Sequence, residues 1–139
     1  GESGRFRPEI DMTIDEKKII SPSYALGIEG EDMAADYLSS SGYVILERRF
    51  RIHSIEIDII ASKGKELVFV EVKTRSSDFF ASPESAVNVK KQKRMILAAD
   101  YYVRERGIDA EIRFDIVSVV RNRDTEHISH IKNAFPPFV

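Results

Sequence analysis

Residues 55–75 read IEIDIIASKGKELVFVEVKTR. Two runs rich in Ile and Val flank Ser62-Lys63-Gly64-Lys65, a turn signal, so the stretch reads as a β-hairpin with strands over Ile55–Ala61 and Leu67–Thr74. Side chains alternate along a strand, which puts Val68, Val70 and Val72 on one face and Phe69, Glu71 and Lys73 on the other. By the same rule Ile55, Ile57, Ile59 and Ala61 share a face opposite Glu56, Asp58 and Ile60. Near-continuous apolar runs belong to strands buried on both faces. Charged residues inside them need a physical reason.

Ser21-Pro22-Ser23 reads as a helix start, a serine cap with proline in the first turn, and the helix should run to about Ser40 and stop at Gly42. Tyr43 to Arg51 is a strand ahead of the hairpin. Ser76–Ser82 is expected to be a mobile loop. Ser82-Pro83-Glu84 restarts a helix that ends near Glu105 with Gly107 closing it. Arg113–Val120 is a further strand, Asn122-Arg123-Asp124 a turn, and Glu126–Ile131 a short edge strand. The order α-β-β-β-α-β is that of an α/β sandwich with helices on a central mixed sheet. One domain is expected over residues 23–135, with a poorly structured extension over 1–22 and a tail over 136–139.

The composition narrows the function. With 42% hydrophobic and 32% charged residues the chain is that of a soluble globular protein, and no apolar run approaches the about 18 residues of a membrane span. Residues 1–7 carry no secretory signal pattern. The absence of cysteine excludes disulfides and thiolate metal sites and makes a cytoplasmic location the default. A net charge of -2 excludes coating nucleic acid by charge alone, but not a nuclease whose acidic site offsets basic residues elsewhere. Taken alone, the clusters Arg48/Arg49/Arg51 and Lys90/Lys91/Lys93/Arg94 read as solvated faces.

The charges in the hairpin do not stand alone. If the charged faces coincide, Asp58, Glu71 and Lys73 lie within a few ångströms of each other. In the first helix Gly27, Glu31, Ala34, Ala35 and Leu38 form one stripe, so Glu31 turns toward the sheet. Gly27 and Gly30 fit a close backbone approach, or else delay the helix start. In the second helix Val87, Lys91, Met95, Ala98 and Tyr102 form a stripe in which Lys91 either snorkels outward or turns to the acidic cluster. One Glu-x-Lys on a strand is most simply an exposed ion pair. Adding Asp58 and Glu31 shifts the reading, because several partly buried carboxylates beside one lysine stay unbalanced at a cost of about several kcal/mol each. A divalent cation resolves this, and an all-oxygen donor set suits Mg²⁺ or Mn²⁺. His53, His127 and His130 lack metal-ligand spacing, and no glycine-rich phosphate loop or Ser/His/Asp arrangement occurs.

A helix Glu, a strand Asp, a hairpin and Glu-x-Lys in this order resemble the PD-(D/E)xK nuclease superfamily. More closely, the chain is similar to the YraN-type family of uncharacterised proteins, which are Holliday-junction-resolvase-like. The matching stretches are Leu26–Glu31 with Ala34, Glu56–Ala61, Leu67–Arg75, Lys91–Arg94, Arg113–Asp115 and Ile131–Phe135. Two positions depart from the pattern: the family usually has glycine at Ile55 and asparagine at Arg49. A β-branched residue cannot take glycine-only conformations, so the bend ahead of Asp58 is expected to differ.

The resemblance implies a restriction-endonuclease-like fold and a metal-dependent nuclease acting on DNA, branched DNA included. Asp58, Glu71 and the Val72 carbonyl would hold Mg²⁺ or Mn²⁺, and Glu31 would complete the shell directly or through water. Lys73 would position the attacking water and steady the phosphate. Arg75, Lys91, Gln92, Arg94, Arg49 and Arg51 would grip the nucleic-acid backbone. A homodimer is the family-level expectation. The alternatives are a non-catalytic module on the same fold that binds nucleic acid or protein, and an assembly subunit whose acidic cluster only stabilises the fold.

Overall fold

The computed structural model describes residues 21–77 and 87–138. The expected extension over 1–22 lies outside them except for Ser21 and Pro22, which begin the first helix. Ser21 accepts the Tyr24 N–H, and Pro22 takes the first helical position, where an N–H would have no partner. This helix, α1, spans Pro22–Ser40, and Gly42 (φ 94°) turns the chain into β1, Val44–Ile52. β2 (Ile55–Lys63) and β3 (Glu66–Arg75) form the expected hairpin.

The loop expected over Ser76–Ser82 and the helix start at Ser82-Pro83-Glu84 fall, beyond Ser77, outside the described residues. α2 itself spans Val89–Arg106, so Val87 precedes it. Asn88 caps it by accepting the Lys91 N–H, and Gly107 closes it in the left-handed region. β4 (Glu111–Arg121) and β5 (Glu126–Phe135) complete the sheet. β5 runs four residues past its expected end. Asn133 takes a left-handed conformation (φ 56°) beside a register shift at Asp115, and Phe135 then stacks on Phe114 at 4.9 Å.

The strand order is β1-β2-β3-β4-β5, antiparallel throughout except between β3 and β4. That parallel step requires a crossover, which contains α2. The central strands are buried on both faces. Leu67, Phe69, Phe114 and Ile116 pack with Met95, Ala98, Ala99 and Tyr102 of α2. Val68, Val70, Val117 and Val119 pack with Ala34, Ala35 and Leu38 of α1. Fully burying one large aliphatic or aromatic side chain stabilises by about 1.5–3 kcal/mol, so these two layers hold the sheet.

The expected faces of β2 need correction. Ile55 and Ile57 belong to the α2 layer, but Ile59 and Ala61 belong to the α1 layer, and Ile60 faces α2. Alternation therefore slips by one residue at Asp58. The cause lies on the neighbouring strand. Arg49, opposite Asp58 between the pairs Arg48↔Ile59 and Phe50↔Ile57, has a φ of 52°. This left-handed residue lets Arg48 and Arg49 both reach α1, while Phe50 turns to Tyr102 of α2. The tip of the β1–β2 hairpin thus swings onto α2 and leaves β3, whose last registered pair with β2 is Ile59↔Val70. Ile55 has no positive φ and packs in the α2 layer; the left-handed residues around this bend are Arg49 and His53.

Candidate active site

The parting of β2 from β3 creates the site. Val72 lies two residues beyond the last ladder pair, and its N–H donates instead to Asp58 Oδ2 at 2.8 Å. The N–H and carbonyl of one strand residue share an edge, so the Val72 carbonyl also faces the gap. Asp58 borders two clefts. One, about 410 Å³, lies toward α1 and includes Tyr24, Gly27, Glu31, Arg49, Arg51 and Thr74. The other, about 380 Å³, lies toward α2 and includes Ser54, Asn88, Lys90, Lys91 and Arg94.

α1 can approach the gap because Gly30 has no side chain: a Cβ there would sit 2.0 Å from Thr74 Oγ1. The same expectation fails for Gly27, whose added Cβ meets nothing within 4 Å. Nor does either glycine delay the helix, which starts at Pro22.

Two of the three carboxylates expected at the site, Glu31 and Glu71, have cationic partners. Glu31 is nearly buried and accepts Arg49 Nε at 2.8 Å and Arg48 Nη2 at 3.3 Å. Arg48 also meets Asp32 at 2.7 Å. Glu71, buried on the α2 side, pairs with Lys91 Nζ at 2.6 Å. That settles the direction of Lys91, which turns to the acidic cluster. Among the described residues Asp58 has only the Val72 N–H. Burial, then the charge of Glu71, pushes its carboxyl up to about 7 against the pull of that hydrogen bond; Glu31 adds to the rise and Lys91 opposes it. Asp58 is thus in electrostatic contact with Glu71, Glu31 and Lys91.

Lys73 shares the strand face of Glu71 but is exposed and makes no ion pair among the described residues. Of the residues expected to grip nucleic acid, Arg51 stands 3.6 Å from Glu56, Arg94 donates to Ser54, Gln92 donates to the Val87 carbonyl, and Arg75 ends β3.

Among the described residues no three His, Asp or Glu side chains are grouped closely enough to hold a metal ion. The donor set nevertheless fits a hard divalent cation. Asp58 lies at a gap edged by the Val72 main chain and within the field of the Glu71 carboxylate, and Mg²⁺ is commonly held by one or two carboxylates with water and phosphate oxygens.

Sequence reasoning passed over a second buried cluster. Asp115 is fully buried and accepts from Arg113 Nε (2.9 Å) and Nη2 (2.7 Å), His130 Nε2 (2.6 Å) and the Asn133 N–H (2.9 Å). Burial pushes its carboxyl up, but the bonds from His130, Arg113 and Asn133 outweigh that and hold it below the ordinary range. His130 Nδ1 meets Tyr37 OH at 3.0 Å, and Arg113 continues to Glu66 and Tyr43. The cluster ties α1, β3, β4 and β5 together. Its signal was the Arg-x-Asp of β4, which has the same form as the Glu-x-Lys of β3.

None of the helices among the described residues is long and apolar enough to cross a membrane. In structure comparison, SSO0001 aligns with a TM-score of 0.41 at 12% identity, covering 88% of this chain and 58% of that one. SfsA of Pyrococcus furiosus in complex with Ca²⁺ aligns with a TM-score of 0.37 at 15% identity, covering 79% and 63%. Sequence relatives are much nearer. The UPF0102 protein of Parabacteroides distasonis is 49% identical over 110 residues, 79% of this chain and 91% of that protein. That of Persephonella marina is 46% identical over 114 residues, covering 81% and 95%, and that of Geobacter metallireducens 45% over 112, covering 80% and 92%. The model of the uncharacterised protein family UPF0102 matches residues 30–119, a span that holds Glu31, the Arg49 bend, Asp58, Glu71, Lys73 and α2. The chain belongs to the UPF0102 (YraN-type) family, and its fold is mixed α/β, a five-stranded mixed sheet between two helices.

Proposed function

We propose that this protein is a Mg²⁺- or Mn²⁺-dependent nuclease that hydrolyses phosphodiester bonds in DNA, branched DNA included. The observation that carries the reading is Asp58, a carboxylate held at the gap between β2 and β3 in the negative field of Glu71 and Glu31. Asp58 and Glu71 would hold the ion, with the Val72 carbonyl as a further oxygen and Glu31 completing the shell directly or through water. When bound, the ion polarises the phosphate and lowers the pKa of the attacking water.

The chain's own groups do the rest. The exposed ammonium of Lys73 holds that water and steadies charge growing on the phosphate. Asp58 is kept in place by the Val72 N–H, so its orientation is set before substrate arrives. Arg51 and Arg49 on the α1 side and Arg94 on the α2 side line the clefts at Asp58 and, with Arg75 and Gln92, would hold backbone phosphates.

A second reading has its own support: Glu31 and Glu71 are already paired with Arg48, Arg49 and Lys91, as in a module that binds nucleic acid without cutting it. A cleavage assay on linear, flapped and four-way DNA with Mn²⁺ separates the two. The nuclease reading requires cleavage that Lys73→Ala reduces at least about hundredfold, the scale of a lost acid–base group. Binding without cleavage on every substrate favours the module, and cleavage unchanged in Lys73→Ala marks a contaminant.

A further inference from the structure

We propose that Lys91 is a displaceable counter-ion of the metal site: it occupies the cation's place at Glu71 in the metal-free protein and is released toward the phosphodiester when metal binds. This rests on the metal-site reading above and adds a link between ion and substrate.

Glu71 is buried, and a carboxylate there needs a positive partner. The lysine nearest in sequence, Lys73, does not supply it. The partner comes from another element, with Lys91 Nζ 2.6 Å from Glu71 Oε2. Lys91 sits in the first turn of α2, which contains no acidic residue, and a cation at a helix N-terminus is opposed by the helix dipole. Its own helix therefore does not hold the ammonium in place; Glu71 does. The side chain is 43% exposed, so it has an open path out, whereas Glu71, at 8%, does not move with it.

A divalent ion arriving between Asp58 and Glu71 repels a neighbouring ammonium and takes over the neutralisation of Glu71. The freed Lys91 then joins Lys90 and Arg94 along the α2-side cleft, where a phosphodiester meets three cations in place of two. Metal and polyanion should bind with positive coupling, each raising the affinity for the other by the same factor.

Calorimetric titration with Mn²⁺, alone and with a short phosphorothioate oligonucleotide, tests this on the wild-type chain, Lys91→Met, Lys91→Gln and Lys91→Arg. Thermal melts in chelator confirm that each variant folds. The expected result is Mn²⁺ affinity about tenfold tighter in Lys91→Met and Lys91→Gln, because no ammonium competes. The oligonucleotide should enhance Mn²⁺ binding in the wild type and in Lys91→Arg but not in the two neutral variants. In chelator the neutral variants should melt lower than the wild type, and Mn²⁺ should remove the difference. Unchanged or weaker Mn²⁺ affinity in both neutral variants, or Lys91→Arg behaving as they do, overturns the counter-ion role and leaves the metal site standing. No Mn²⁺ binding by the wild type overturns both.

Discussion

At the scale of single residues, one backbone conformation governs the site. Arg49 holds a φ of 52°, a region in which a non-glycine residue is strained by about 1–2 kcal/mol and asparagine is better tolerated. An asparagine here would fit that conformation, whereas Arg49 adds a pair with Glu31. Arg49→Ala loses the pair and keeps the strain, so it should be less stable than Arg49→Asn by roughly 1 kcal/mol in urea unfolding. Equal stability of the two would show that the left-handed bend is not a property of this residue.

Asp58 gives a prediction in pH. An unfolded aspartate titrates near 4, while the folded Asp58 carboxyl is pushed up to about 7, so the native state holds the extra proton between those values. Stability of the metal-free protein must then fall as pH rises through that window. Asp58→Asn has no charge to bury. In chelator its melting temperature should exceed that of the wild type at pH 8, by the equivalent of roughly 2 kcal/mol after allowing for partial solvent exposure, and approach it at pH 4. Parallel pH profiles would contradict the buried-charge account of Asp58.

At the scale of elements, the two glycines of α1 separate packing from propensity. Gly30→Ala drives a Cβ into Thr74 and should destabilise by about 1–3 kcal/mol. Gly27→Ala meets open space and should stabilise by up to about 1 kcal/mol through helix propensity. Denaturant midpoints decide both, and a loss at Gly27 equal to that at Gly30 would contradict the packing described. Element boundaries were largely legible: Ser21-Pro22 and Gly42 punctuate α1, and Gly64 marks the hairpin. The faces of β2 were not. IEIDIIA alternates so regularly that nothing within it announces a slip, because the slip is imposed from β1 by Arg49. α2 begins at Val89 with Asn88 as its cap, while the expected start at Ser82-Pro83-Glu84 lies outside the described residues.

At the scale of the whole molecule, two charged pairs of the same sequence form do different work. Glu71-x-Lys73 and Arg113-x-Asp115 lie on adjacent parallel strands, but on opposite faces. Asp115 has every oxygen engaged by fixed donors and opens to no cleft, whereas Glu71 has one flexible partner and shares its field with Asp58. Asp115 binds helix and sheet together, and Glu71 is the one proposed to take an ion. Nothing within the Arg-x-Asp of β4 announces that His130 and Tyr37 join it in a closed network. Asp115→Asn should therefore cost about 3 kcal/mol of stability and leave Mn²⁺ affinity unchanged, while Glu71→Gln should abolish Mn²⁺ binding at a smaller cost. Calorimetry with thermal melts on both variants checks the division, which fails if Asp115→Asn folds normally yet binds no Mn²⁺. The central claim, that the parting of β2 from β3 at Asp58 makes a cation site, is tested most directly by Mn²⁺ anomalous scattering from soaked crystals. The account predicts one strong peak between Asp58 and Glu71, beside the Val72 carbonyl, with Lys91 withdrawn from Glu71. A peak elsewhere, or an intact Lys91–Glu71 pair with no peak at Asp58, would contradict it.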